Sequence, residues 1–181
     1  MKRITSTLAA VTCAVMISTT LLAQKMTTTG TGSGGSPHVK AEWTIAGANL
    51  MIEYGRPFLK GRPEAQMMPA GQPWRTGADV ATILRTDKAL HFAAVALAPG
   101  AYTINTQPGE TWQLILGKLD KEGQWGIPYQ PALELGRVPM VVGKTKAPVE
   151  QVTIAIDATP AGATLRIEWG TMSVTAPFKV G

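Results

Sequence analysis

AEWTIAGANLMIEY, Ala41 to Tyr54, alternates apolar and polar residues on both sides of a four-residue AGAN break. Ala41, Trp43 and Ile45 share one face, and Leu50, Ile52 and Tyr54 share another. A period of two is the signature of strands with one buried face, and Gly between two such runs marks a hairpin turn. The same rhythm returns along the chain, at Val80-Thr82-Leu84, Leu90-Phe92-Ala94, Trp112-Leu114-Leu116, Val152-Ile154-Ile156 and Leu165-Ile167-Trp169. Turn signals separate these runs: TDK, APG, QPG, DKEG, TPAG and the Trp169-Gly170 pair. Capped stretches of ten or more residues with helical spacing are absent. The chain therefore reads as all-β, a single antiparallel β-sandwich or open barrel of about eight to ten strands.

Residues 1–23 read as a signal peptide. Lys2 and Arg3 precede the mostly apolar run Leu8 to Ile17, and the segment closes on Leu21-Leu22-Ala23. Hydroxyl residues interrupt it too often for a membrane span, which needs about 20 mainly apolar residues. Cleavage after Ala23 would place the protein in the periplasm or outside the cell, with no stable span left. It would also remove Cys13, the only cysteine, so the domain would have to be held by its core rather than by disulfides. Residues 24–38, rich in Gly, Ser and Thr, read as a flexible tether, and residues 39–181 as the single domain.

The formal charge of +5 falls to +3 without the leader, because 15 basic residues then face 12 acidic ones. That is too little for a nucleic-acid partner, which needs a basic stripe to neutralise phosphates. All of the excess lies between Gly55 and Ala78, where Arg56, Lys60, Arg62 and Arg75 face Glu64 alone. This stretch contains Pro57, Pro63, Pro69 and Pro73 and has no period. It is either a functional loop or a misread pair of edge strands, because four prolines exclude a central strand. Gly-Arg-Pro occurs twice in it, at 55–57 and 61–63, and a residue before proline is held extended.

The motifs YGRP, KGR, PWRTGAD, PGAYTI, Trp125-Gly126 and LRIEW together resemble the bacterial exported family known as domain of unknown function 2911. The resemblance runs from about Val39 to Phe178 and implies one conserved domain, with no activity attached. Relatives usually carry Asn-Glu after the Gly-Ala of the tryptophan motif, and this chain has Asp79-Val80.

The inventory of reactive groups is thin. Beyond the leader there is no cysteine, and Ser33, Ser36 and Ser173 lie in no Gly-x-Ser-x-Gly setting. His38 and His91 lack metal-ligand spacing, so neither a metal nor any other cofactor is expected. GRVPMVVGKT, 136–145, ends like a phosphate loop but has six residues between its glycines where four are required. No catalytic residue is assigned.

Two readings of the arginine loop stay open. In one, Arg56, Arg62 and Arg75 clamp the loop to the sandwich through carboxylates. In the other, Arg56, Arg62, Trp74, Arg75, Asp79 and Trp125 bind an anionic or sugar-like small ligand. The chain is thus read as a non-catalytic ligand-binding or envelope-associated domain. The alternative is a carboxylate-dependent hydrolase of extracellular sugars, drawing on acids such as Glu53, Asp79 and Glu134. Intact-mass measurement of the protein recovered from periplasm or culture medium is expected to show a chain beginning near Gln24. A mass that retains Met1 to Ala23 would refute the leader.

Overall fold

The computed structural model describes residues 24–181, so the leader lies outside the described residues. The opening hairpin forms as its alternation requires. Strands β2 (Pro37–Ile45) and β3 (Ala48–Gly55) pair antiparallel with Trp43 opposite Leu50. They are joined by Ala46 and Gly47, both at positive φ (49° and 74°), the backbone of a tight two-residue hairpin turn.

Around this hairpin grows a seven-stranded antiparallel sheet with the order β1-β2-β3-β4-β7-β8-β9. The added strands are β1 (Lys25–Thr31), β4 (Thr82–Thr86), β7 (Gly100–Gln107), β8 (Gln113–Lys118) and β9 (Glu134–Pro139). Facing it is a four-stranded sheet with the order β10-β11-β5-β6. Its strands are β5 (Leu90–Phe92), β6 (Val95–Leu97), β10 (Val141–Thr159) and β11 (Gly162–Val180). Neither sheet closes on itself, and the two together form the β-sandwich expected from the sequence. Between them lie Trp43, Leu50, Ile52, Tyr54, Leu84, Ile104, Leu114 and Leu116 from the large sheet, against Ile154, Leu165, Ile167, Trp169, Val174 and Phe178 from the small one.

Two expectations need correction. The stretch read as a flexible tether supplies β1, which pairs with β2 from Lys25 opposite Glu42 to Thr31 opposite Pro37. All seven β1 residues are exposed, so the strand has no apolar period to betray it. Backbone pairing and the β-branched Thr27, Thr28, Thr29 and Thr31 carry it instead. With β1 and the three-residue β6, the described residues form eleven strands, more than the eight to ten expected.

The second correction concerns Trp169-Gly170, which is not a turn. Strand β11 runs straight through it, and its buried positions switch there from odd (Ala163, Leu165, Ile167, Trp169) to even (Met172, Val174, Ala176, Phe178). Gly170 sits at φ 60°, and the register with β10 breaks on both sides of it. On β10 the break is large: Lys144 pairs with Met172 and Val149 with Gly170, so Thr145 to Pro148 bulge out opposite Thr171.

Trp169 is fully buried, and its indole Nε1 donates to the Glu150 carbonyl at 3.1 Å. Trp169→Ala is expected to cost about 3–5 kcal/mol of stability in urea unfolding followed by circular dichroism. Trp169→Phe should fall between the two, because it keeps most of the volume and loses the hydrogen bond.

Candidate functional site

The 55–78 segment is a loop with one four-residue helix, α1 (Glu64–Met67), and isolated pairings at each end. Phe58 pairs with Gln151 and Trp74 with Thr106. Pro57 to Leu59 thereby cap the outer edge of β10: Leu59 N–H donates to the Glu150 carbonyl at 2.8 Å, and Val152 N–H to the Pro57 carbonyl at 3.2 Å.

The three arginines do not share a surface. Arg56 leaves the end of β3 and reaches the other sheet, where Nε donates to the Val152 carbonyl at 2.9 Å and NH2 to Thr153 Oγ1 at 3.0 Å. Arg62 folds back onto its own loop and donates to the carbonyls of Leu59 and Phe58. Arg75 points to the Gly77 and Asp79 carbonyls at 3.3 and 3.4 Å and lies 5.8 Å from the Trp125 ring centroid. Burial pulls the Arg75 guanidinium below its usual range, and the nearby Asp79 charge opposes that shift. All three arginines are bonded within the chain, chiefly to backbone carbonyls, where the clamp reading expected carboxylates.

Trp74 turns inward and stacks on Trp169, centroids 5.6 Å apart and planes 9° from parallel. Of the six residues singled out in the sequence, the structure brings together Arg75, Asp79 and Trp125. Trp125 is half exposed at 51% and pairs with Val80, while Gly126 N–H donates to the Asp79 carbonyl at 3.0 Å.

The Thr76 to Asp79 path is a held turn. Thr76 and Asp79 both occupy the left-handed region, at φ 58° and 63°, which is costly for any side chain and more so for a β-branched one. What holds them is local. Thr76 Oγ1 donates to the Trp74 carbonyl and is bonded to the Thr106 hydroxyl, and Thr82 Oγ1 donates to the Thr76 carbonyl. Gly55 lies against this turn so closely that a methyl there would sit 2.4 Å from the Ala78 carbonyl oxygen.

The turn delivers Asp79, 8% exposed, to His38, whose Nε2 donates to Asp79 Oδ2 at 2.9 Å. The β1–β2 turn covers this pair: a methyl on Gly32 would fall 1.7 Å from the same carboxylate oxygen. His38 also lines a concavity of about 180 Å³ on the outer face of the large sheet, together with Thr29, Glu53, Val80, Ile83 and Glu122. Arg85 joins the two glutamates, Nε to Glu53 at 3.2 Å and NH2 to Glu122 at 2.5 Å. The Glu122 hydrogen bond, with Glu53 adding to it and burial opposing, raises the Arg85 pKa further.

On the far side of the 119–133 loop, Tyr129 donates to Glu134, which Arg137 holds through Nε and NH2. Burial first and then the Glu134 hydrogen bond push the Tyr129 hydroxyl up to about 12. That cluster ties the loop to β9.

Sequence reasoning set His38 aside as the end of a tether and passed over Arg85 and Glu122. The available signal was phase: His38 on β2, Glu53 on β3 and Arg85 on β4 all occupy positions opposite to the buried ones. Glu122 sits in a turn and left no such mark. Among the described residues, no group of three or more His, Cys, Asp or Glu is placed to hold a metal.

The two kinds of arginine contact differ in consequence. Arg56→Ala is expected to cost about 1.5–3 kcal/mol in urea unfolding, because it removes charged hydrogen bonds that bridge the two sheets. Arg62→Ala, exposed and bonded only within its loop, should cost less than about 1 kcal/mol.

Comparison with curated proteins found no match, and neither did comparison with solved structures. A family match does extend over residues 36–178, to the family described as "Protein of unknown function (DUF2911)". It contains the Gly55–Ala78 approach, the Thr76 turn and the Trp125 pairing described above. The chain belongs to the DUF2911 family.

Proposed function

We propose that this is a non-catalytic ligand-binding domain, and that its ligand is hydroxyl-rich and sugar-like rather than anionic. The binding place is the concavity between His38, Glu53 and Glu122. The observation that carries this is the chemistry of its wall. Two carboxylates, Glu53 and Glu122, and one imidazole, His38, line it, and each is already fixed by a partner behind the wall: the glutamates by Arg85 and the imidazole by the buried Asp79. An anion would meet more negative than positive charge there. A hydroxyl can donate to a carboxylate and accept from a guanidinium, and fixed partners lose little freedom when it does so. Trp125, half exposed, pairs through its backbone with Val80 of the same wall. The leader expected in the sequence places this binding outside the cytoplasm.

The convergence of Glu53 and Glu122 is also what favours the alternative, a carboxylate-dependent sugar hydrolase. Against it, Arg85 bonds both carboxylates, so neither is free to flank a glycosidic bond.

A melting screen of neutral oligosaccharides, amino sugars, sugar acids and inorganic phosphate tests the proposal. A neutral sugar at 100 times its dissociation constant should add about 2.7 kcal/mol of stability. Glu53→Gln should abolish that shift, and Arg56→Ala should leave it in place. Stabilisation by phosphate or sugar acids alone would overturn the reading. Release of shorter sugars during incubation would establish the hydrolase instead.

A further inference from the structure

The small concavity lies on the outer face of the large sheet. The same sheet face carries a second, open concavity of about 610 Å³, lined by Lys25, Glu42, Thr44, Asn49, Arg85 and Asp87. A single side chain stands between the two. Arg85 lines the larger space and bonds both glutamates that line the smaller one. Along β3, Asn49 marks the far end and Glu53 the near end, four residues or about 14 Å apart at about 3.4 Å per residue. That is longer than any single sugar ring.

Resting on the ligand-binding reading above, we propose that the ligand is a chain: a neutral, extended glycan that lies along β2 and β3 from the His38 pocket to the Asn49–Asp87 end. The charges along the way are matched in near-equal number. Lys25 and Lys40 face Glu42 at 4.0 and 3.3 Å, and Arg85 faces Glu53 and Glu122. A polyanion or polycation gains nothing from such a wall. Hydroxyls meet donors and acceptors at both ends of the path, with Thr44, Asn49 and Asp87 bonding one another at the far end, and Met51 between Asn49 and Glu53 offers an apolar patch for a ring face. An extended peptide bound by strand addition would lie against the free edge of β1, whereas this path runs along β2 and β3, whose backbones are paired on both sides.

The test is chain length. For neutral β-linked and α-linked glucose and N-acetylglucosamine oligomers from one to six units, affinity measured by calorimetry should rise at least about tenfold between one unit and four, then level off. Thr44→Val and Asn49→Ala, each checked for an unchanged fold by circular dichroism, should bring the six-unit affinity down to that of one unit. Equal affinity for one unit and six would overturn the chain while leaving the sugar pocket standing. Failure of the two far-end variants to change six-unit binding would also overturn it. Binding of mixed-charge peptides in place of every glycan would overturn both readings.

Discussion

The stack of Trp74 on Trp169 is the contact on which the rest of the molecule is built. Trp169 belongs to the small sheet, where its indole is also bonded to the backbone of β10. Trp74 belongs to the long loop, yet its own backbone exchanges two hydrogen bonds with Thr106 of the large sheet, at 2.7 and 2.9 Å. One aromatic pair therefore binds loop, small sheet and large sheet in a single place. From Trp74 the chain has only one way forward, through Arg75 and the left-handed Thr76 to the left-handed Asp79, and so to His38. Backbone strain at two residues is tolerable because the stack fixes one side of the turn and the Thr106 and Thr82 hydroxyls fix the other.

Seen this way, the basic loop answers a backbone problem. A loop of this length leaves carbonyls without sheet or helix partners, and buried carbonyls need donors. Arginine has five N–H groups and no acceptor, so it can serve several carbonyls at once. Arg62 does this at Phe58 and Leu59 and Arg75 at Gly77 and Asp79, while Arg56 reaches out of the loop to Val152 of β10. The whole net positive charge of the domain is spread among these structural duties, which is why its concentration in one stretch of sequence does not translate into one basic surface.

Much of the sandwich was legible because alternation reports burial directly. Trp43, Leu50, Leu84, Leu114, Ile154 and Leu165 are buried on the faces that their spacing indicated. Legibility failed where that link is cut. Strand β1 buries nothing, so its threonines looked like tether. The Trp169-Gly170 step shifts the buried phase by one residue within a continuous strand, and a phase break looks the same as a turn when only spacing is read. The site was harder still. His38, Glu53, Arg85 and Glu122 come from three strands and a turn, and only sheet order places them side by side. The motif residues that stood out in the sequence, Gly55, Trp74, Thr76 and Gly77, shape the scaffold that positions Asp79.

The bulge of Thr145 to Pro148 on β10 bears on how copies of this protein coexist at high concentration. Strand β10 is an edge, and it begins with Val141 and Val142, 66% and 51% exposed, which together make an inviting template for another chain's strand. Four residues later the template is spoiled: the bulge breaks the regular ladder, Lys144 before it and Lys146 within it add charge, and Pro148 removes a donor. Beyond it the edge is already occupied by Pro57 to Leu59. The irregularity that costs this sheet its register therefore also guards an open-edged sandwich against edge-to-edge aggregation.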